Sequence, residues 1–248
     1  MNAAANSPGA IILAGGFGTR VSHLLGDVPK PMAPAEGRPF LEWVVRYLAS
    51  HGITEIAIST GFRAEAINRH FIRNPFGNAN VHCVTETRPL GTGGAVLNAL
   101  KAFPAIPDTV LIVNGDSLFL LSPQDLLDRM KATAADTVIA AREVEDTQRY
   151  GSLQTSAGGR IMAFREKVTG AGLINAGMYL LSQRALLALP LQAPMSLERD
   201  GIPALLQHDL HVVACPCDAP FLDIGTPETL PQAGKFISAH AAAFRCAA

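Results

Sequence analysis

The sequence predicts an α/β protein: a mostly parallel sheet flanked by helices, with an antiparallel extension in its second half. Three observations lead there. Through the first half, short apolar runs alternate with stretches of helical periodicity, the pattern of repeated β-α-β units. The runs at 10–14 and 109–113 are almost wholly apolar, as strands covered on both faces are. In the second half the alternation gives way to closely spaced strand-like segments joined by turns such as Ala157-Gly158-Gly159.

The elements follow in order. Residues 10–14 read as a buried strand ending in glycines, 40–50 as a helix, 55–60 as a strand and 63–72 as a helix. A strand at 81–85, a helix at 93–103 and an apolar strand at 109–113 complete the alternation. Ser122-Pro123 offers an N-cap and a first-turn proline for the next helix. Residues 137–143, 152–155, 160–166 and 177–181 read as strands, 197–207 as a helix and 210–215 as a strand. A C-terminal helix is predicted from Thr226-Pro227-Glu228, with proline at its first position and an acid in its first turn. No linker or repeat divides the chain. The expected organisation is one unit, 1–248, with a nucleotide-binding half at about 9–135, an acceptor-binding half at about 136–230 and the helix at about 226–248. The alanine-rich part of that helix, 232–244, reads as core or as an interface, the latter implying a homodimer.

Composition narrows the function. Hydrophobic residues at 48% against 17% charged exclude a disordered chain. A net charge of −1 gives no basic excess for nucleic acid, although a small anion needs only a local cluster of donors. Cys83, Cys215, Cys217 and Cys246 form no CxxC pair; Cys215 and Cys217 share a strand face without obvious partners for zinc and read as buried thiols of a reducing compartment. Residues 1–9 lack the charged and apolar regions of a signal peptide, and no apolar run approaches the roughly 20 residues of a membrane span. The expected setting is cytoplasmic, with no membrane partner.

Local signals point to phosphate chemistry. Leu13-Ala14-Gly15-Gly16-Phe17-Gly18-Thr19-Arg20 follows the first strand directly. Its glycines let the backbone approach a ligand, successive N–H groups can cradle an anion, and Arg20 adds a planar cation. The spacing fits neither GxxxxGK[ST] nor GxGxxG, and the second strand ends in Ser59-Thr60-Gly61 without an acid for an adenosine ribose, which disfavours a dinucleotide oxidoreductase. Lys30 is stiffened between Pro29 and Pro31. Asn114-Gly115-Asp116 stands at the carboxyl end of an apolar strand, where open α/β sheets hold ligands.

Taken together, Gly15-Gly16-Phe17-Gly18-Thr19-Arg20 followed by Pro29-Lys30-Pro31 resembles the signature of the nucleoside-diphosphate-sugar pyrophosphorylases, the sugar-1-phosphate nucleotidyltransferases. The likeness runs over essentially the whole chain. Residues 29–34 and 37–42 are most similar to the heptose-1-phosphate guanylyltransferase branch. The resemblance implies a Rossmann-like, GT-A-like fold and an enzyme that joins a nucleoside monophosphate to a sugar 1-phosphate with release of pyrophosphate. It implies GTP and D-glycero-α-D-manno-heptose 1-phosphate as substrates, for surface glycans. It implies Arg20, Lys30 and Asp116 as catalytic, and Mg²⁺ on Asp116 and Asp223. The implied nucleotide-binding residues are Leu13, Ala14, Gly15, Gly16, Gly18, Thr19, Arg20, Lys30, Glu86, Pro89, Gly91, Thr92, Asn114 and Asp116. Those implied for the sugar phosphate are Tyr150, Gly151, Glu166, Lys167, Asn175 and Gly177, with Arg149 and Arg165 as further cations or plain surface residues.

At Glu86, thymidine- and uridine-using relatives typically carry Gln. An ionised carboxylate only accepts hydrogen bonds, which suits the adjacent N1–H and 2-amino donors of guanine and repels a pyrimidine carbonyl. Guanine is therefore the expected base. Mannose-1-phosphate guanylyltransferase, glucose-1-phosphate thymidylyltransferase and a non-catalytic regulatory subunit are the alternatives. Retention of Arg20, Lys30, Asp116 and Asp223 argues against the last.

Overall fold

The structure is a computed structural model and describes residues 8–76, 79–148, 151–166 and 169–245. The sheet is built outward from β1 (Gly9–Ala14), which runs parallel to β4 (Glu55–Thr60) on one side and to β6 (Thr109–Asn114) on the other. β5 (Asn80–Thr85) adds in parallel to β4. The chain thus winds from β1 to β4 to β5 and returns on the far side of β1 at β6. The carboxyl ends of β1 and β6 lie side by side where the winding reverses, the place where such sheets leave a crevice.

β11 (Gly172–Ser182) extends the sheet beyond β6 and is antiparallel to it over Met178–Ser182. It also pairs antiparallel with β8 (Thr137–Val144) and, at Ile174, with β9 (Gly151–Thr155). β12 (Val212–Pro216) runs parallel to β8, and β10 (Ile161–Glu166) antiparallel to β9. Among the described residues this makes a nine-stranded sheet, with the antiparallel extension that the sequence predicts.

Alternation along the strands divides the apolar residues between two cores. Ala10, Ile12, Ile56, Ile58, Leu111 and Val113 face α2 (Phe40–Ser50), α3 (Ala64–Arg73), α5 (Pro123–Thr133) and α8 (Ala233–Ala239). Ile11, Ala57, Val110, Ile112, Tyr179 and Leu181 face α4 (Gly91–Ala99), α6 (Gln183–Leu187) and α7 (Ile202–Gln207). Each fully buried aliphatic side chain contributes about 1.5–3 kcal/mol. No helix among the described residues is long and apolar enough to cross a membrane.

Two predicted helices differ in detail. The helix expected from Thr226 does not start there. The Thr226 and Thr229 hydroxyls bond one another (3.1 Å) and nearby backbone, drawing the segment into a turn before the 3₁₀ turn Leu230–Gln232 and α8. The helix then breaks at His240 and ends in a 3₁₀ turn, Ala241–Phe244. Phe244 is buried edge-on against Trp43 of α2, with ring centroids 5.3 Å apart, so this part of the C-terminus packs into the core. The helix expected over 197–207 opens as a π-helical turn, Leu197–Gly201, before becoming α7. Two small ribbons went unpredicted: β2 (Pro34–Ala35) with β3 (Arg38–Pro39), and β7 (Ser117–Phe119) with β13 (Phe221–Asp223).

One buried charge holds α2 to α3. Glu42 is 3% exposed and accepts from Arg38 and from Arg46 (3.0 Å), with His70 Nε2 at 2.9 Å. Burial alone would raise its pKa; the bonds from Arg46, Arg38 and His70 outweigh that and hold it below the usual carboxylate range. A lowered folded pKa gives stability that is present at neutral pH and is lost as pH falls through that folded value. Glu42→Gln should therefore cost about 2 kcal/mol at neutral pH, lowering Tm by roughly 5 °C. The gap to wild type should persist from neutral pH and narrow only as pH falls below about 4. Thermal melts across that range check this; equal melting at neutral pH would refute it.

Candidate active site

The glycine-rich turn after β1 is pinned at both sides to its neighbours. The Phe62 N–H donates to the Gly15 carbonyl (3.1 Å), and the Gly115 N–H donates to the Leu13 carbonyl (2.8 Å). The second bond fastens the turn after β6 to the end of β1. Beyond the turn, α1 (Ser22–Leu25) is a single short turn of helix. Lys30 opens a 3₁₀ turn, Lys30–Met32, between two prolines as the sequence suggested. Its largely buried ammonium is ion-paired with the Asp116 carboxylate.

Asp116 meets Asp223 through the β7–β13 ribbon. Asp223 pairs with Ser117 in its register, and the Ile224 N–H donates to the Asp116 carbonyl (3.0 Å). Two acids distant in sequence are thereby held as neighbours by backbone hydrogen bonds. Burial first, and then the Asp116 charge, push the Asp223 pKa above its ordinary value. Lys30, the Gly225 N–H (2.7 Å from Oδ1) and Arg20 act in the opposite direction without cancelling it.

Two cavities meet at Asp116. One, of about 390 Å³, is walled by the glycine-rich turn, by Lys30, and by Glu86, Pro89, Gly91 and Thr92. The other, of about 550 Å³, is walled by Arg20, Gly151, Asn175, Gly177 and Asp223. Asn114 and Asp116 line both. Of the residues expected around a nucleotide, Leu13, Ala14, Gly15, Gly16 and Gly18 come together in the first cavity, whereas Arg20 lines the second. Thr19 is exposed, and its carbonyl accepts from the Ser22 hydroxyl (3.0 Å).

Glu86 is positioned from two sides. Oε1 accepts from the Ser59 hydroxyl (3.1 Å) and Oε2 from the Leu90 N–H (3.0 Å). A Cβ added at Gly15 would stand 2.6 Å from Oε1, so only glycine lets this carboxylate lie against the loop.

The second cavity owes its shape to an irregularity in β11. The register with β8 shifts between Asn175 and Tyr179, and Gly177 adopts φ +73°, a left-handed conformation suited to glycine. A Cβ there would collide with the Asn114 amide. The bulge thus turns Asn175 and Gly177 toward the cavity while the rest of β11 stays paired with β6. Glu166 ends β10 with its backbone opposite Gly151. Arg165 lies exposed on β10. Arg149, Tyr150 and Lys167 lie outside the described residues.

Sequence reasoning missed Glu198 and Arg199, which line the second cavity from the π-helical turn, along with Phe164 and Phe221. Nothing local marks Glu198; only the Ser196 N-cap, accepting from the Arg199 N–H (3.2 Å), signals that a turn starts there. Among the described residues no group of three or more His, Cys, Asp or Glu gathers, and Cys217 Sγ accepts from the Ala219 N–H; Cys246 lies outside the described residues. Burial pushes the Cys83 thiol up to about 11.

The family model described as "Nucleotidyl transferase" matches residues 9–240. D-glycero-alpha-D-manno-heptose 1-phosphate guanylyltransferase of Aneurinibacillus thermoaerophilus is 34% identical over 228 residues, covering 91% of this chain and 96% of that protein. The protein of the same name from Campylobacter jejuni is 35% identical over 223 residues, covering 88% and 95%. Among solved structures, HddC from Yersinia pseudotuberculosis superposes with a TM-score of 0.81 at 34% identity, over 92% of this chain and 99% of that one. A second structure of HddC, complexed with GMP-PN, gives a TM-score of 0.80 at 33% identity, again over 92% of this chain and 99% of that one. With a glycine-rich turn, two neighbouring acids and twin cavities at the sheet's switch point, and with these matches along nearly its full length, this chain belongs to the nucleotidyl transferase family.

Proposed function

We propose that the chain transfers GMP from GTP to D-glycero-α-D-manno-heptose 1-phosphate, releasing pyrophosphate and giving GDP-heptose for capsule, lipopolysaccharide or other surface glycans. The observation that carries this reading is the shared floor of the two cavities at Asn114 and Asp116. A triphosphate in one and a phosphate monoester in the other would bring phosphorus and attacking oxygen to a single place. The heptose phosphate and guanylyl transfer named for the two relatives above, and the HddC complex with GMP-PN, support the choice of substrates. The cytoplasm, which supplies GTP, is the expected compartment.

The reaction is an in-line displacement. An oxygen of the sugar phosphate forms a bond to the α-phosphorus of GTP as the bond to the pyrophosphate oxygen breaks. The nucleophile is already an anion and needs no general base. The obstacle is charge, since both reactants are phosphates. Backbone N–H groups of the glycine-rich turn and the cations Lys30 and Arg20 offset it, one cation lining each cavity. Asp116 and Asp223 form a hard oxygen donor pair, crowded enough that one raises the pKa of the other, and they suit a divalent cation, here assigned as Mg²⁺. When bound there, it would neutralise phosphate charge and orient the triphosphate. Glu86, steadied by Ser59 and Leu90, would accept from the two guanine donors.

A pyrophosphate-release assay crossing GTP, UTP and dTTP with heptose-, mannose- and glucose-1-phosphate tests the assignment. The GTP and heptose pair should give the highest kcat/KM; faster turnover with UTP or dTTP would overturn the guanine assignment. Glu86→Gln should cut kcat/KM for GTP by roughly 100-fold while leaving the pyrimidine nucleotides unchanged or improved. Arg20→Ala and Asp116→Ala should each lower kcat by about 100-fold or more with the fold intact by circular dichroism. Asp223→Asn has two opposed readouts: turnover should collapse, while with chelator present Tm should rise by a few degrees, because a buried charge facing Asp116 is removed. A destabilised Asp223→Asn protein with near-normal turnover would contradict both roles.

A further inference from the structure

The two cavities share more than a floor. The segment Met195–Glu198 is bound along its length to the turn that begins α4. The Met195 N–H donates to the Leu90 carbonyl (2.8 Å), the Gly93 N–H to the Met195 carbonyl (2.9 Å), and the Leu197 N–H to the Thr92 hydroxyl (2.8 Å). Thr92 and Leu90 belong to the side of the molecule that carries Glu86, since Leu90 donates to Glu86 and Thr92 lines the same cavity.

Glu198 ends that segment and reaches the other way. Its Oε2 accepts from the Thr92 and Ser196 hydroxyls (2.8 Å each), and its Oε1 accepts from the Tyr179 hydroxyl (2.8 Å). The Tyr179 oxygen in turn accepts from the Asn175 side-chain amide (2.6 Å). Tyr179 is fully buried on β11, and its burial and the Glu198 charge keep the phenol protonated and donating. A continuous line of hydrogen bonds therefore runs Thr92, Glu198, Tyr179, Asn175, from the wall of one cavity to the wall of the other. All three hydroxyls at Glu198 are donors, which leaves little of its accepting capacity for a substrate. The π-helical turn of Leu197–Gly201 carries this carboxylate at the edge of the acceptor cavity, and such turns recur at functional sites.

We propose that Glu198 is a positioning residue that fixes the nucleotide-side turn and the acceptor wall relative to one another, so that recognition of both substrates depends on it. The inference rests on the function proposed above. It makes Glu198→Gln a severe change despite its shape, because the amide sets an N–H₂ against hydroxyls that need an acceptor.

Steady-state kinetics with GTP and D-glycero-α-D-manno-heptose 1-phosphate test it. Glu198→Gln should raise both KM values, each by about 5-fold or more. Two variants each remove a single oxygen function and sever one arm. Thr92→Val should raise the KM for GTP with little effect on the acceptor, and Tyr179→Phe should raise the KM for the acceptor with little effect on GTP. If Glu198→Gln fails to fold, Tyr179→Phe decides alone, because Tyr179 is fully buried and lines neither cavity: an unchanged acceptor KM there overturns the proposal. A Glu198→Gln enzyme in which only the acceptor KM rises would make Glu198 a direct sugar contact and overturn the proposal, as would unchanged KM values in a folded protein. A wild-type chain that releases no pyrophosphate with any substrate pair would instead bring down the proposed function, and this inference with it.

Discussion

The Asp116 and Asp223 carboxylates repel one another, and the backbone of β7 and β13 holds them together regardless. Left to electrostatics, the two acids would separate into water. Their backbone partners, Ser117 opposite Asp223 and the Ile224 N–H on the Asp116 carbonyl, lock the ribbon in register and leave the charge to be balanced by Lys30 and Arg20. The cost of confining like charge is met by the cores on either face of the sheet, whose buried side chains contribute far more than one repulsive pair removes. Every other part of the site is arranged around that confined charge. The glycine-rich turn is bonded to the strand end that carries Asp116, and the bulge in β11 presses Gly177 against Asn114.

The parallel half of the fold is legible because its signals are local and mutually consistent. The runs at 10–14, 55–60, 81–85 and 109–113 are strands; the helices expected at 40–50 and 63–72 sit within a residue of where periodicity puts them, and the one expected at 93–103 starts at Gly91 and passes into a 3₁₀ turn after Ala99. What cannot be read is the product of pairing at a distance. β7 and β13 are three residues each, too short for any pattern, and exist because each supplies the other's hydrogen bonds. The turn at Thr226 shows the opposite failure. Threonine and proline there satisfy a helix-start rule, yet the Thr226 and Thr229 hydroxyls capture one another and nearby backbone first.

The site divides along the same line. The residues of the glycine-rich turn, Lys30 and Asp116 are recognisable from contiguous motifs, and so is the segment from Glu86 to Thr92. Glu198 is not, because its role arises from three hydroxyls contributed by α4, by β11 and by its own turn. Arg20 illustrates an intermediate case. The sequence proposes it as a phosphate cation, but only the path of the loop decides that it lines the larger cavity rather than the one beside the glycine-rich turn.

β11 is at once the spine of the sheet and a wall of the larger cavity. Past its bulge it pairs with β6 on one edge and β8 on the other, so its backbone cannot slide without dragging the strand that ends in Asn114. A wall held on both edges cannot shift to admit a different ligand without disturbing Asn114. Under the proposed function, a change of acceptor is met instead by the hairpin of β9 and β10, which lines the cavity with Gly151 and Phe164 and, among the described residues, pairs with β11 at Ile174 alone.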